Sequence, residues 1–169
     1  MNPPTETSFT YVPIGTIHSP FTQLDGMPIQ PAGAMGVRGR IVIREKFLAG
    51  LRDLNGFSRI ILLYPFHHSQ GYSLEVIPFL DTVSRGVFST RAPRRPNAIG
   101  LSIVRLVAVN GCELIIEDID VLDGTPLFDI KPYTPLFDSY PDEKSGWLDG
   151  NKDAVAAAKS DRRFCGTPR

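Results

Sequence analysis

Apolar side chains recur at every second position through much of this chain, which is the period of half-buried β-strands. Val37, Gly39, Ile41 and Ile43 fall on one face, with Arg38, Arg40 and Val42 on the other, so residues 37–43 read as a strand with one dry side. Residues 9–17 read as an earlier strand that stops at the turn-forming His18-Ser19-Pro20. Residues 59–66 are almost continuously apolar, which predicts a strand buried on both faces. Residues 74–77 and 87–90 predict shorter strands. Residues 101–109 and 112–119 flank Asn110-Gly111, a strong hairpin signal because both residues tolerate the positive φ of a type I′ turn. Residues 126–133 supply a last strand. Helical spacing is confined to Phe47, Leu48, Leu51 and Leu54, closed by Asn55-Gly56. Beyond Pro141 the chain turns polar, and residues 153–163 could form one short Ala-rich helix.

The pattern therefore predicts an all-β protein, a single small β-barrel that hides its own edges, with a short helix and a C-terminal tail. The expected domain covers residues 9–148 and the tail 149–169, without internal repeats. Fifteen glycines and fifteen prolines in 169 residues suit tight turns rather than a helical bundle. Hydrophobic residues make up 42% and charged residues 21%, a balance that can bury a core of useful size. Eighteen basic and eighteen acidic residues leave a net charge of zero, which argues against bulk electrostatic binding to nucleic acid but permits a local basic patch. Cys112 and Cys165 lie in no CxxC pair and read as buried or incidental thiols. With no apolar run of membrane length and no leader pattern, cytoplasmic residence is expected, with neither a membrane nor DNA as partner.

The neutral average conceals one basic stretch. From Arg85 to Arg105 there are five arginines and no acidic residue. Arg91, Arg94 and Arg95 stand among Pro93, Pro96 and Gly100. Two prolines so close preclude a helix or central strand, leaving a stiff loop that displays guanidinium groups suited to phosphate or carboxylate. A solvated Arg-rich turn explains the same composition. His67-His68 follows the apolar run directly. Adjacent residues of an extended chain point to opposite faces, so one could face a ligand while the other packs. With His18 as the only other histidine and no cysteine cluster, no metal site is expected. Asp118, Asp120 and Asp123 lead into the turn Gly124-Thr125-Pro126, without the oxygen spacing of an EF-hand. No GxGxxG, P-loop or nucleophile elbow is present, which leaves no Rossmann-type phosphate grip.

Five blocks taken together narrow the reading. They are Ile14-Gly15-Thr16-Ile17-His18-Ser19-Pro20-Phe21, Phe66-His67-His68, and Gly86-Val87-Phe88-Ser89-Thr90-Arg91 with Arg95-Pro96-Asn97-Ala98-Ile99-Gly100. They end with Asp123-Gly124-Thr125-Pro126 and Asp129-Ile130-Lys131-Pro132-Tyr133. In this order the chain strongly resembles the TsaA-like, or TrmO, family of S-adenosylmethionine-dependent tRNA methyltransferases, over residues 11–148. The resemblance implies a β-barrel, a homodimer, S-adenosylmethionine as cofactor, and methyl transfer to N6 of a threonylcarbamoyl-modified adenosine beside a tRNA anticodon. Bacterial members carry a further C-terminal domain, where this chain has a tail from Gly150.

Carried over by motif, the resemblance implies cofactor contacts from Pro28, Ile29 and Gln30, from His67 and His68, and from Arg91 and Leu101. Asp120, Asp123, Gly124 and Thr125 complete that set. The family often has Arg where this chain has Ile29. An arginine suits the methionine carboxylate, apolar walls suit the adenine, and carboxylate oxygen suits a sulfonium. The implied reaction is an in-line displacement by the adenosine nitrogen, with His67 or Asp120 as proton acceptor. Arg94 and Arg95 are candidates for RNA phosphate contacts, Arg95 equally for a structural clamp. An S-adenosylmethionine-binding sensor or adaptor, or a methyltransferase with another nucleoside or small-molecule substrate, would use the same pocket.

Overall fold

Alternating inward and outward side chains along short strands build a sheet that rolls onto itself. The architecture is that of a computed structural model, which describes residues 8–154 and 156–164. The strands are β1 (Gly15–His18), β2 (Arg38–Ile43), β3 (Arg59–Pro65), β4 (Glu75–Val76), β5 (Arg85–Gly86), β6 (Ile99–Asn110), β7 (Glu113–Glu117), β8 (Thr125–Leu127) and β9 (Asp129–Pro132). Seven of them form one sheet in the order β8-β1-β2-β7-β6-β3-β9, with every pair antiparallel. β8 and β9 are one passage of chain interrupted at Phe128, whose N–H donates to the Leu63 carbonyl at 2.8 Å. Its first half pairs with β1 and its second half with β3, so a single passage joins both edges and nearly closes a barrel.

The interior is filled by the inward positions of these strands: Ile17, Ile41, Ile60, Leu62, Val104, Leu114, Ile116 and Leu127 are all fully buried. Each such aliphatic side chain contributes about 1.5–3 kcal/mol relative to exposure. β4 and β5 form a separate ribbon beside the barrel, where Val76, Val87 and Ala92 make a second small core against Phe164.

The predicted fold class holds, and several elements shift for identifiable reasons. The first strand is confined to Gly15–His18. β3 alternates buried and half-buried positions instead of being dry on both sides, because its outer face forms part of the barrel wall. The expected helix around residues 47–54 is a pair of 3₁₀ segments, Glu45–Leu51 and Leu54–Gly56, parted by Asp53 in the left-handed region at φ 65°. Phe47, Leu51 and Leu54 still pack on the barrel core as their spacing requires. The hairpin forms one residue further on than expected. Asn110 pairs with Glu113, and the loop is Gly111-Cys112 with Gly111 alone at positive φ, 59°. A I′ turn needs two such residues, whereas Gly at the first position is the II′ pattern.

Residues 87–90 are not a strand but a 3₁₀ turn, Val87–Ser89. The Ser89 hydroxyl donates to the Gly86 carbonyl at 2.7 Å and the Thr90 hydroxyl to that of Val87 at 2.9 Å, local bonds that compete with a sheet ladder. The Ala-rich segment likewise forms no continuous helix among the described residues. It runs as 3₁₀ Gly146–Ala154, a turn, and 3₁₀ Arg162–Phe164, with Lys159 bridging Pro28. Ser160 N–H donates to Met27 O at 2.8 Å, and the Gly26 and Met27 N–H groups donate back to Ser160 at 2.9 and 3.0 Å. Those partners outweigh a helix too short to be stable alone. Cys165 lies outside the described residues. Among those residues, no helix is long and apolar enough to cross a membrane.

Candidate functional site

Three loops and two strand ends meet around a cavity of about 1040 Å³. The floor comes from β3 and β6, where Tyr64, Gly100 and Leu101 reach the barrel rim. One wall is the loop holding Pro28, Ile29 and Gln30, pinned by Ser160 of the C-terminal segment. A second is the arginine-rich loop from Thr90 to Asn97, and a third is Asp120 to Leu122 beyond β7. The described part of the C-terminal segment adds Trp147, Leu148 and Phe164, so it walls the cavity rather than trailing away from it.

Of the residues expected at the site, Pro28, Ile29, Gln30, His67, His68, Arg91, Leu101, Asp120 and Thr125 all line this cavity. Asp123 and Gly124 do not. Gly124 sits at φ 75° and makes the turn, while Asp123 accepts from the Ser19 N–H at 3.1 Å and lies 3.2 Å from His18 Nδ1. The Ser19 N–H first, with the His18 ring, holds the Asp123 carboxyl below its ordinary range. The three loop arginines diverge. Arg91 Nη1 donates to Gln30 Oε1 at 2.9 Å, which ties the first two walls together. Arg95 Nη1 donates to the Thr90 carbonyl at 3.0 Å and clamps its own loop. Arg94 faces a neighbouring cavity of about 570 Å³ shared with Arg163 and Phe164.

His67 and His68 do not splay apart as an extended dipeptide would. They occupy a turn just past β3, with ring centroids 4.1 Å apart. Burial, then the neighbouring His68, holds the His67 imidazole below its usual value and keeps it neutral at physiological pH.

Asp120 is the most perturbed carboxyl of the site. Burial pushes it up to about 6, against the hydrogen bond from Ser102 and the charge of Arg91. Two residues that the sequence did not single out stand behind it. Ser102 Oγ donates to Asp120 Oδ1 at 2.6 Å, and Tyr64 Oη lies 2.8 Å from the same Ser102 oxygen. Burial also raises the Tyr64 phenol well above its ordinary value, so it stays protonated. Their only sequence cue is polarity at inward positions of apolar strands, and the β3–β6 register is what brings them together. The same register explains Gly100, which pairs with Tyr64: a Cβ there would lie 2.3 Å from the Tyr64 ring. Chemically, the cavity offers a guanidinium, a carboxylate, a neutral imidazole and apolar walls. That set can seat an elongated ligand bearing an anionic end, a cationic centre and a flat heteroaromatic group.

Residues 16–139 match the family described as tRNA-methyltransferase O N-terminal domain. A protein of Pyrococcus abyssi named "Probable S-adenosyl-L-methionine-binding protein" is 47% identical over 154 residues, or 91% of this chain and 84% of that protein. The human tRNA (adenine(37)-N6)-methyltransferase is 37% identical over 134 residues, covering 75% of this chain and 30% of its own length. The crystal structure of TrmO from Pseudomonas aeruginosa superposes with a TM-score of 0.70 at 37% identity, covering 83% of this chain and 63% of that one. The chain thus spans less than two thirds of the solved TrmO chain and under one third of the human enzyme.

Proposed function

Because this chain belongs to the tRNA-methyltransferase O family, we propose that it is an S-adenosylmethionine-dependent methyltransferase acting on N6 of an adenine in tRNA. The observation that carries this reading is the convergence of Arg91 and Asp120 on one apolar-walled cavity. The residues fit the cofactor. The Arg91 fork suits a carboxylate, Asp120 suits a sulfonium, and Ile29, Leu101 and Leu122 suit an adenine face. At about 1040 Å³ the cavity has room for the cofactor and an inserted base. Asp123 and Gly124 contribute through the shape of the turn that delivers Thr125.

When bound, the cofactor would supply an electrophilic methyl on a sulfonium, whose neutral thioether is a good leaving group. The protein's share is alignment, with reacting atoms held near 3–3.5 Å, and removal of the N6 proton. Asp120 takes that proton. Raised to about 6, its carboxylate is a stronger base than an ordinary aspartate and is still ionised at neutral pH. His67, neutral and in the same cavity, is the second candidate acceptor. The substrate we favour is a threonylcarbamoyl-modified adenosine beside the anticodon, whose splayed loop bases can enter such a cavity. Arg94, which lines the neighbouring cavity, is the candidate we favour for an RNA phosphate contact, and Arg95, bonded to the Thr90 carbonyl, serves its own loop.

Residues 9–148 form the catalytic barrel domain in this reading, with 149–169 as a tail whose described part walls the cavity. Phe88, Ile99 and Leu101 leave an apolar rim uncovered, which supports a twofold homodimer closing over the mouth. A fully active monomer by light scattering would refute the dimer. A reaction on tRNA is in keeping with residence in the cytoplasm. Incubation with total tRNA and methyl-labelled cofactor, followed by nucleoside mass spectrometry, tests the function. A methylated N6-modified adenosine is expected. Cofactor binding by calorimetry without any methylated nucleoside would overturn the enzyme in favour of a binding protein.

A further inference from the structure

Behind the cavity wall, Tyr64, Ser102 and Asp120 form a chain of side-chain oxygens with separations of 2.8 and 2.6 Å. Ser102 is fully buried and Tyr64 is 6% exposed, so water plays little part in satisfying them. A serine hydroxyl has one proton. Since that proton goes to Asp120, the Tyr64 O–H must supply the other bond, which fixes the order Tyr64 → Ser102 → Asp120. We propose that Ser102 and Tyr64 are positioning residues for methyl transfer, holding Asp120 Oδ1 from behind so that Oδ2 faces the reacting nitrogen. The inference rests on the reading of Asp120 as proton acceptor.

Three features of the fold support a device rather than an accidental polar contact. The first is that polar groups at inward positions of a barrel are expensive unless fully paired, and the hydroxyls here pair with each other and with the carboxylate. Gly100 is the second, because it gives the Tyr64 ring the space to lie against the backbone of β6, and a Cβ would close that space. The third is the positive φ of Asp118, 67°, which turns the chain out of β7 just before Asp120. Asp118 is held there by Arg59 Nη2 at 3.0 Å and the Gly36 N–H at 2.9 Å, so the approach of Asp120 to Ser102 is braced from both sides.

The charged and titratable groups that act on Asp120 are Tyr64 from β3 and Arg91 from the arginine-rich loop, and His67, His68, Arg95 and Asp161 line the same cavity. Of these, the hydroxyl chain alone is directional. With Asp120 ionised, its donors point toward the carboxylate. After Asp120 accepts the N6 proton on Oδ2, Oδ1 still accepts from Ser102, so the hydroxyl chain stays paired without turning over. The proton moves from nitrogen to carboxylate oxygen, and no other co-reactant is needed.

The test follows the Asp120 carboxyl by ¹³C NMR titration in the protein without cofactor, with Asp120→Asn assigning the resonance. Ser102→Ala, Ser102→Thr and Tyr64→Phe are compared with the parent. Loss of the Ser102 donor should raise the Asp120 midpoint by on the order of one pH unit. It should also move the acid limb of the methyl-transfer rate by the same amount, lowering kcat at pH 7 while the cofactor KM stays unchanged. Ser102→Thr should restore the parental midpoint, and Tyr64→Phe should give a smaller displacement of the same sign. An unmoved midpoint and acid limb in Ser102→Ala, or in Tyr64→Phe if the alanine variant does not fold, would overturn the proposal. A parent protein that transfers no methyl to tRNA would sink the functional reading, and the titration would still decide the positioning role.

Discussion

Replacing Asp120 by Asn should make the protein more stable at neutral pH and far less active at once. Burial raises this carboxyl from its ordinary 3.8 to about 6 in the folded state. The folded protein therefore takes up the proton more readily than the unfolded chain does. Below pH 3.8 both states are protonated and the site costs little. As pH rises from 3.8 to about 6, the unfolded chain ionises first, and folding stability falls. Above pH 6 the deficit is constant, and a displacement of just over two pH units corresponds to about 3 kcal/mol. Asparagine has nearly the same shape, still accepts from Ser102 through its amide oxygen and does not titrate. The stability difference between Asp120→Asn and the parent should therefore grow by about 2.4 kcal/mol between pH 4 and pH 7.5, the rest of the deficit having accrued below pH 4, whatever constant offset the substitution adds. Urea unfolding at several pH values, with equal m-values in both proteins, measures it. Methyl transfer should drop by about 10²–10⁴-fold, the usual range for a lost proton acceptor. A stability difference that is flat or shrinks with rising pH would show that Asp120 is not held out of water, and the argument for its basicity would go with it.

Gly100→Ala should destabilise the fold by about 1–3 kcal/mol, because the new methyl meets the buried Tyr64 ring at 2.3 Å; thermal unfolding checks this, and an unchanged midpoint would mean that β6 yields freely. Arg91→Ala should weaken cofactor binding by about 1.5–3 kcal/mol in calorimetry, with Arg91→Lys only partly tolerated because an ammonium lacks the planar fork. Arg94→Ala should leave cofactor affinity intact and make the salt dependence of tRNA binding shallower by roughly 0.7 in log–log slope, whereas Arg95→Ala should leave the slope alone and lower cofactor affinity by loosening the loop. The opposite pattern in titrations at several salt concentrations would exchange the roles assigned to these two residues. Ser160→Ala should loosen the loop of Pro28 to Gln30, seen as faster amide exchange at Gly26 and Met27, and an unchanged rate would detach the C-terminal segment from the site.

The barrel was legible because its signal is local. Ile41 and Ile43, or Leu114 and Ile116, need only their own alternation to declare a buried face, and a closed sheet hides such faces and its own edges together. The errors fall where a side chain competes with the periodic signal. Val87 and Thr90 have strand propensity, yet two hydroxyls bonding back three residues turn the segment into a 3₁₀ coil, and that coil points Phe88 and Arg91 to the cavity. Ser160 does the same to the Ala-rich segment by offering the loop at Met27 an extended partner. His67-His68 failed for a simpler reason: an opposite-face argument assumes an extended chain, and the strand had already ended at Pro65.

The site was only partly legible, and the division follows from where recognition information sits. Arg91, Asp120 and the two histidines belong to short blocks whose residue types announce charge and proton chemistry, so they can be found without a fold. Tyr64 and Ser102 carry no such mark, since a tyrosine and a serine on apolar strands are ordinary. Their meaning arises from register: Tyr64 pairs with Gly100 and Leu62 with Ser102, which sets the two hydroxyls on one inward row two steps apart. A one-residue slip of β3 against β6 would turn one of the two outward and break the chain of hydroxyls that leads to Asp120. The hydrophobic alternation that fixes the barrel's register therefore also fixes the chemistry at its rim. Core substitutions that shift β3 against β6 should for that reason impair Asp120 well before they unfold the protein.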